Sequence, residues 1–450
     1  MKKLFVGSLA ACLVLGAATL AVSQITRQVK DDLYSQIELF SYALTTIQAD
    51  YVDEIPPKDL IYGSLKGMLS SLDPHSQFLD PEEYKDLKTE TQGKFGGLGI
   101  EISIRDGLLT IVTPIEDSPA WKAGLKAGDR IVKIEDELTK DITLSDAVKK
   151  LRGEPGTDVH ITILREEEAK ILEFTLTREI IHIQDVKDTQ IMEDHIGYIR
   201  LTEFREDSSK EFRKGLEDLQ QQGADSLILD LRNNPGGLLN VAIEITEDFL
   251  EEGKLIVSTK GRRVSQNTET RSTNKSHVIS WPMVILLNEG SASGSEILAG
   301  ALKDNGRAII LGTKSFGKGS VQSVIPLPDS SGLRLTTSKY YTPSGKSIHG
   351  IGIPPDIEVK YVPPPEEDEG AKKENKDAKK VFDNLEDKDA KETEESKISK
   401  EKAERRERLL NDNQVRAAIN VIKGIRVYKG VAPQVKTEEQ PAAAVAPGAI

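Results

Sequence analysis

Met283-Val284-Ile285-Leu286-Leu287-Asn288-Glu289-Gly290-Ser291-Ala292-Ser293-Gly294-Ser295-Glu296 decides the architecture of this chain. Five consecutive apolar residues, too few for a stable helix and uninterrupted by a polar one, read as a strand covered on both faces. Ser291 to Ser295 make a small-residue turn, and a helix follows to about Lys303. The same order recurs on either side. Ser226 to Leu231 is an apolar strand, Asn233-Asn234-Pro235-Gly236-Gly237 breaks it, and an amphipathic helix runs to about Leu250. Arg307 to Leu311 is a third strand. Repeated strand–turn–helix units over 178–360 imply an α/β layer architecture.

Upstream, residues 93–177 change character. Ile100, Ile102 and Ile104 alternate as in a half-buried strand, Arg105-Asp106-Gly107 supplies a turn, and Leu109 to Val112 returns. Ala123-Gly124-Leu125-Lys126-Ala127-Gly128-Asp129-Arg130-Ile131 is a turn feeding another strand; Leu144, Val148 and Leu151 share one helix face; Val159 to Leu164 alternate again. This is a β-rich module with helices. Residues 24–92 read as helical, with one stripe at Leu33, Ile37, Phe40, Leu44 and Ile47 and another at Ile61, Leu65, Met68 and Leu72. Two readings stay open there: a hairpin packed on itself, or an arm that joins copies of the chain into a homo-oligomer. Dense Glu, Lys and Asp over 361–408 read as disordered or as a solvated helix. Leu409, Val415, Ile419 and Ile422 suggest a last helix over 409–428, and 429–450 reads as an unstructured tail.

Composition excludes several classes. With 450 residues, two or three domains are expected. A net charge of −13 with no basic stripe argues against a nucleic-acid partner. The single cysteine, Cys12, rules out an internal disulfide and a cysteine zinc site, and the six histidines contain no His-x-x-x-His pair. No metal or organic cofactor is expected. Lys2 and Lys3 precede an apolar run from Leu4 to Val22, and Ala21-Val22-Ser23 offers small residues for a signal peptidase. Residues 1–23 thus read as a cleaved signal or an uncleaved anchor; Leu9-Ala10-Ala11-Cys12 also fits lipoprotein processing. Each version exports the bulk of the chain to a bacterial envelope, in the periplasm or on the outer face of the inner membrane, with membrane contact only through this segment.

Two turns carry candidate chemistry. Ser293 sits where a buried strand turns into a helix, a setting that exposes a hydroxyl beside free backbone N–H groups able to hold an oxyanion. Ser293-x-x-Glu296 is equally a capping box, so Ser293 is also read as a helix cap. Lys318, in Gly312-Thr313-Lys314-Ser315-Phe316-Gly317-Lys318-Gly319-Ser320-Val321-Gln322, stands between glycines that let backbone approach closely. A desolvated lysine loses its proton more readily, and a neutral amine can deprotonate a serine. Gln322 is placed to orient that amine. The alternative is a phosphate loop, but Gly319 follows Lys318 where a Walker motif needs Ser or Thr. Asn233 to Gly237 is either an ordinary turn or a source of a second N–H donor. It resembles the Asn-Ser-Gly-Gly of trypsin-like proteases, but Pro235 replaces the serine and no Gly-x-Ser-x-Gly elbow occurs.

Taken in order, Ser71-Leu72-Asp73-Pro74-His75-Ser76-Gln77-Phe78-Leu79, Asp230-Leu231-Arg232-Asn233-Asn234-Pro235-Gly236-Gly237, Ser291-Ala292-Ser293 and Phe316-Gly317-Lys318-Gly319-Ser320-Val321-Gln322 resemble the carboxyl-terminal processing peptidases, or tail-specific proteases. The resemblance covers about residues 34–360, with a weaker echo at Leu409 to Ile425. It implies a serine endopeptidase with Ser293 as nucleophile, Lys318 as general base and Gln322 as the lysine-orienting group. The oxyanion hole would use the N–H of Gly294 and one from Gly236 or Gly237. Residues 93–177 would be a PDZ domain, with Gly97-Leu98-Gly99-Ile100 receiving the carboxylate of a protein or peptide substrate that ends in a free apolar residue. In some members an arginine ending the PDZ helix contacts the active site when the protease is switched on; Arg152 matches it, and is otherwise a helix-terminal residue facing the dipole. The rival is a catalytically inactive PDZ scaffold of the cell envelope.

Overall fold

The computed structural model describes residues 32–105, 107–115, 117–165, 170–275, 278–363, 403, 405–428 and 430. The signal or anchor at 1–23, most of the charged stretch and the tail lie outside these residues. The chain divides into two units, one comprising residues up to 81 with 324–335, the other 82–323 with 336 onward.

The first unit is mostly helical. A helix spans 32–50, and another, Pro57–Ser70, starts on a proline whose missing N–H costs nothing at a first turn. Asp73 Oδ1 accepts the N–H of His75 (2.8 Å) and of Ser76 (2.9 Å), a turn that delivers the chain into the Gln77–Leu79 strand. That strand pairs antiparallel with Gly332, Leu333 and Arg334, a short strand that the helical reading of 24–92 did not include. Tyr62 meets Phe78 edge-on at 4.8 Å and donates to Asp329 (2.7 Å). The second stripe is corrected: Met68 and Leu72 are exposed and Leu69 is the buried residue, one position round the helix. Of the first stripe, Leu33, Ile37, Phe40 and Ile47 are all exposed.

In the second unit, Lys94–Gly97 and Glu179–His182 form an antiparallel ribbon through which the chain enters and leaves a β-rich module. The module's antiparallel sheet runs Ile100–Arg105, Leu108–Pro114, Arg130–Ile134, Asp158–Arg165 and Lys170–Thr177 in space, with Ile100–Arg105 at one edge. Val159, Ile161 and Ile163 point alternately inward onto Leu98, Ile111, Ala147 and Leu151. Arg165 continues that inward row and forks onto Asp129 (2.8 Å from both Nε and Nη2) and the Gly124 carbonyl, which closes the Ala123–Asp129 turn.

A second, mostly parallel sheet orders Val186–Ile191, Ile196–Leu201, Ser226–Asp230, Met283–Leu287, Ile309–Gly312 and Ile357–Glu358. All pairs but the first are parallel. Every residue of Ser226–Asp230 and Met283–Leu287 is buried, because both faces are covered. Leu227, Leu229, Ile285 and Leu287 face the helices Ser208–Gln221, Leu239–Glu247 and Gly294–Asp304. Ile228, Val284 and Leu286 face the Asn413–Tyr428 helix through Val415, Ala418, Ile419 and Ile422. The 178–360 region also holds an antiparallel pair, Leu255–Gly261 with Thr268–Arg271, which its polar sequence did not announce. Three parallel strands end side by side, and the turns leaving Asp230, Leu287 and Gly312 form one rim, the usual site of ligands in such sheets.

Candidate active site

Two of those turns are joined by side chains. Asn288 Oδ1 accepts the N–H of Asn233 (2.8 Å) and of Gly290 (3.1 Å), while Nδ2 donates to Asn233 Oδ1 (2.9 Å). Ser291 Oγ donates to the Leu231 carbonyl (2.8 Å) and accepts from Asn288 N–H (3.0 Å). Ser295 Oγ donates to the Asn234 carbonyl (3.0 Å). Ser291 and Ser295 are fully buried; Ser293 alone of the three is half-buried. It holds φ 53°, ψ −110° as the N-cap residue of the Gly294–Asp304 helix, a conformation an L-residue adopts only when its surroundings impose it. Gly236, φ 100°, packs directly on it: a Cβ there would lie 2.7 Å from Ser293 Cβ, Gly294 N and the Ala292 carbonyl. The Gly236 N–H donates to Asn234 Oδ1 (2.9 Å). Gly237, φ 140°, leaves a Cβ no room beside the Phe204 carbonyl.

Glu296 is the residue that sequence reading undervalued, giving it only the capping role. It is fully buried. Oε2 accepts the N–H of both Ser293 and Lys318 (2.9 Å each), and Oε1 accepts Ser315 Oγ (2.6 Å) and Gly317 N–H (2.7 Å). One carboxylate oxygen thus brings the backbones of Ser293 and Lys318 within two hydrogen-bond lengths of each other. Burial pushes the Glu296 carboxyl above its usual range, and the bonds from Ser315, Gly317, Ser293 and Lys318 pull it back. Lys318 is half-buried. Its glycine neighbours are needed for space: a Cβ at Gly319 would sit 2.2 Å from His349 N, and Gly317, φ 96°, packs on Gly350 and Ile351. Gln322 donates through Nε2 to Thr336 Oγ1 (2.8 Å) and Ser320 Oγ (3.3 Å). Its Oε1 is buried without a hydrogen-bond partner among the described residues, an acceptor in want of a donor.

The rim is braced from below. Asp230 accepts Arg232 Nη2 (2.6 Å) and Tyr198 Oη (2.7 Å), and Arg232 Nη1 donates to Asp412 (2.7 Å) and Gln414 (2.8 Å) at the start of the last helix. Burial disfavours the Arg232 charge, but Asp230 and Asp412 outweigh it and hold the guanidinium above its ordinary value. Buried charges need such complete pairing.

In the β-rich module, the Ile100–Arg105 edge strand and the Leu144–Leu151 helix border a cavity of about 80 Å³ lined by Gly97, Leu98, Gly99, Ile100, Val148 and Leu151, among others. Gly99, φ 72°, lies too close to Ser118 for a side chain, and Leu98 is buried. Arg152 follows the helix, and its guanidinium lies over the Phe95 ring at 4.3 Å. Among the described residues no cluster of three or more His, Cys, Asp or Glu is arranged to hold a metal. No helix among them is long and apolar enough to cross a membrane.

Comparison with known proteins gives three family matches. Residues 195–359 match peptidase family S41, residues 110–165 match a PDZ domain, and residues 15–83 match the N-terminal domain of the activating protease CtpB. A carboxy-terminal-processing protease of Bartonella bacilliformis is 45% identical over 363 residues, covering 79% of this chain and 82% of that one. The carboxy-terminal processing protease CtpB of Bacillus subtilis is 34% identical over 338 residues, covering 74% and 70%. Among solved structures, a photosystem II D1 C-terminal processing protease is 30% identical with a TM-score of 0.42, covering 72% of this chain and 92% of that one.

Proposed function

The chain belongs to the carboxyl-terminal-processing proteases of peptidase family S41, serine peptidases with a Ser–Lys dyad, and on that premise we propose that Ser293 is its nucleophile and Lys318 its general base. Lys318 Nζ, as the neutral amine, takes the Ser293 hydroxyl proton while Oγ attacks the scissile carbonyl. The tetrahedral oxyanion is held by the N–H of Gly294 and of the glycine turn. Gly236 N–H is engaged by Asn234, so Gly237 is the member of that pair we assign. Collapse expels the amine, which receives the proton from Lys318, and leaves an acyl-enzyme on Ser293. Water then attacks, Lys318 takes its proton and passes it to the leaving Ser293 Oγ, and the acid product departs from the restored enzyme. The orphan Gln322 Oε1 supports its role in orienting the lysine amine.

The observation that carries this reading is the shared Glu296 carboxylate, which ties the one accessible serine of the run to the loop that bears Lys318. Substrates are proteins or peptides. The finer proposal is that a free apolar C-terminus adds to the Ile100–Arg105 edge strand with its carboxylate at Gly97–Ile100, and that Arg152 relays this engagement to the active site. The exposed stripe from Leu33 to Ile47 supports an arm that pairs with another copy, and the apolar N-terminal run supports export to the envelope. The test is a cleavage assay on the purified chain beside Ser293→Ala. The variant is expected to fold and to lose essentially all cleavage. A wild type as inactive as the variant would favour the scaffold reading instead.

A further inference from the structure

Phe204 and Arg205 are neighbours in the chain that serve different parts of it. The Phe204 backbone is bonded to the glycine turn: its N–H donates to the Gly236 carbonyl (2.9 Å), and its carbonyl accepts Leu238 N–H (2.7 Å). Its ring lies against Gly294, where a Cβ would come within 3.2 Å of Cδ2. Arg205 faces the root of the ribbon that carries the PDZ domain. Its Nε donates to the Glu90 carbonyl (3.1 Å), and the next residue, Glu206, donates its N–H to the Thr91 carbonyl (3.1 Å). Gly93, φ 68°, approaches so closely that a Cβ would lie 2.9 Å from Arg205 Cδ, and the Gly93 carbonyl accepts Ile183 N–H (2.9 Å) where the ribbon closes.

The guanidinium itself is fixed in direction. It pairs with the buried Asp185 and with Glu203. Asp185 is in turn held by Ser208 Oγ (2.5 Å), and Ser208 Oγ accepts the Arg205 N–H (2.7 Å). The Asp185 N–H is anchored on Glu211 (3.0 Å). A buried, multiply bonded ion pair is a poor source of net stability but a strong constraint on geometry. The Arg205 side chain is bonded to Glu90, Asp185 and Glu203, and its backbone continues directly into Phe204, the residue that clamps the glycine turn.

We propose that Arg205 is a positioning residue that sets the Gly236–Gly237 turn, and with it the oxyanion donors, against the root of the PDZ ribbon. This rests on the assignment of Ser293 and the glycine turn made above. Oxyanion donors act only when they are aimed at the charge that develops in the transition state, so a small displacement of the turn costs rate and leaves ground-state binding alone.

The experiment compares kcat and KM for one peptide substrate across the wild type, Arg205→Met, Arg205→Lys and Gly93→Ala, with affinity for a peptide boronate that forms a tetrahedral adduct on serine. Arg205→Met is expected to lower kcat by about tenfold or more with KM within about twofold, and to weaken the boronate in parallel. Arg205→Lys keeps the charge and recovers part of both. Gly93→Ala leaves every charge in place but pushes on the Arg205 stem from the ribbon side, so it moves kcat and boronate affinity the same way. It carries the test should Arg205→Met fail to fold. Unchanged kcat in the folded variants overturns the proposal. So does a fall in kcat that matches only the unfolded fraction seen by circular dichroism. Ser293→Ala in the same series separates the two ideas, since activity there would remove the nucleophile assignment whatever the Arg205 variants do.

Discussion

At the scale of single residues, the three serines of the run differ in what their hydroxyls already do. Ser291→Ala removes the acceptor for the part-buried Asn288 N–H and one of the donors to the buried Leu231 carbonyl, which keeps the Asn234 N–H, and is expected to cost about 1–3 kcal/mol. Ser295→Ala costs less, about 0.5–1.5 kcal/mol, because it takes no acceptor from a backbone N–H as Ser291→Ala does, and the Asn234 carbonyl keeps the Ala292 N–H. Both variants should lower the melting temperature in that order and keep much of the cleavage rate, which thermal melts and initial rates check. Lys318→Arg should be as inactive as Lys318→Ala, since a guanidinium keeps its proton in a protein. More than a few per cent of wild-type rate in the arginine variant would end the general-base assignment. Ser293 and Lys318 were legible as candidates because each stands in a local setting, a strand–helix turn and a glycine pair, that residue type alone explains. Glu296 was half legible: its spacing announced a cap, but nothing local said that its second oxygen would reach Ser315 and Gly317. The Arg232–Asp412 pair spans 180 positions and left no local sign at all.

Among the elements, the end of one helix carries a pH dependence. Asp248 ends the Leu239–Glu247 helix and meets Arg213 on the Ser208–Gln221 helix (3.0 Å). Burial raises its carboxyl from 3.8 to about 6, and Arg213 only partly opposes this. The folded state therefore holds this proton more tightly than the unfolded chain does. The stability it contributes is complete below about pH 4 and is lost as pH rises through 6, by ~3 kcal/mol at most. Measured against Asp248→Asn, the wild type should lose relative stability between pH 4 and 7 in denaturant titrations; a constant difference across that range would refute the shift. The α/β elements themselves were readable because Ser226–Asp230 and Met283–Leu287 are buried on both faces and so are apolar throughout. Leu255–Gly261 and Thr268–Arg271 escaped notice because a half-exposed antiparallel pair carries a weaker pattern, rich here in Thr, Glu and Arg. The second N-terminal stripe slipped by one position because Met68, Leu69 and Leu72 are all apolar and periodicity does not choose among them.

For the whole molecule, the edge position of Ile100–Arg105 and the small cavity beside Gly97–Ile100 bear on substrate choice. Amidating a substrate's C-terminus removes the charge that the loop N–H groups would bind, and a charge-assisted hydrogen bond is worth roughly 1.5–3 kcal/mol. An unfolded substrate ending in a free apolar residue should therefore be cut about tenfold faster than its amide below saturation, and deletion of residues 93–177 should abolish the difference. Equal initial rates for acid and amide in the intact chain would mean that this module does not select tails.

The Asn413–Tyr428 helix packs on the central strands from one face of the sheet, and its start brings Asp412 and Gln414 to Arg232, yet it is made long after those strands. At about 5–20 residues per second, a ribosome needs roughly 3–10 s to pass from the Ile357–Glu358 strand to this helix. Throughout that interval Ile228, Val284 and Leu286 lack the packing of this helix. Until that helix emerges, a nascent chain carries finished central strands without the helix that packs on them, and Arg232 without its outer partners Asp412 and Gln414.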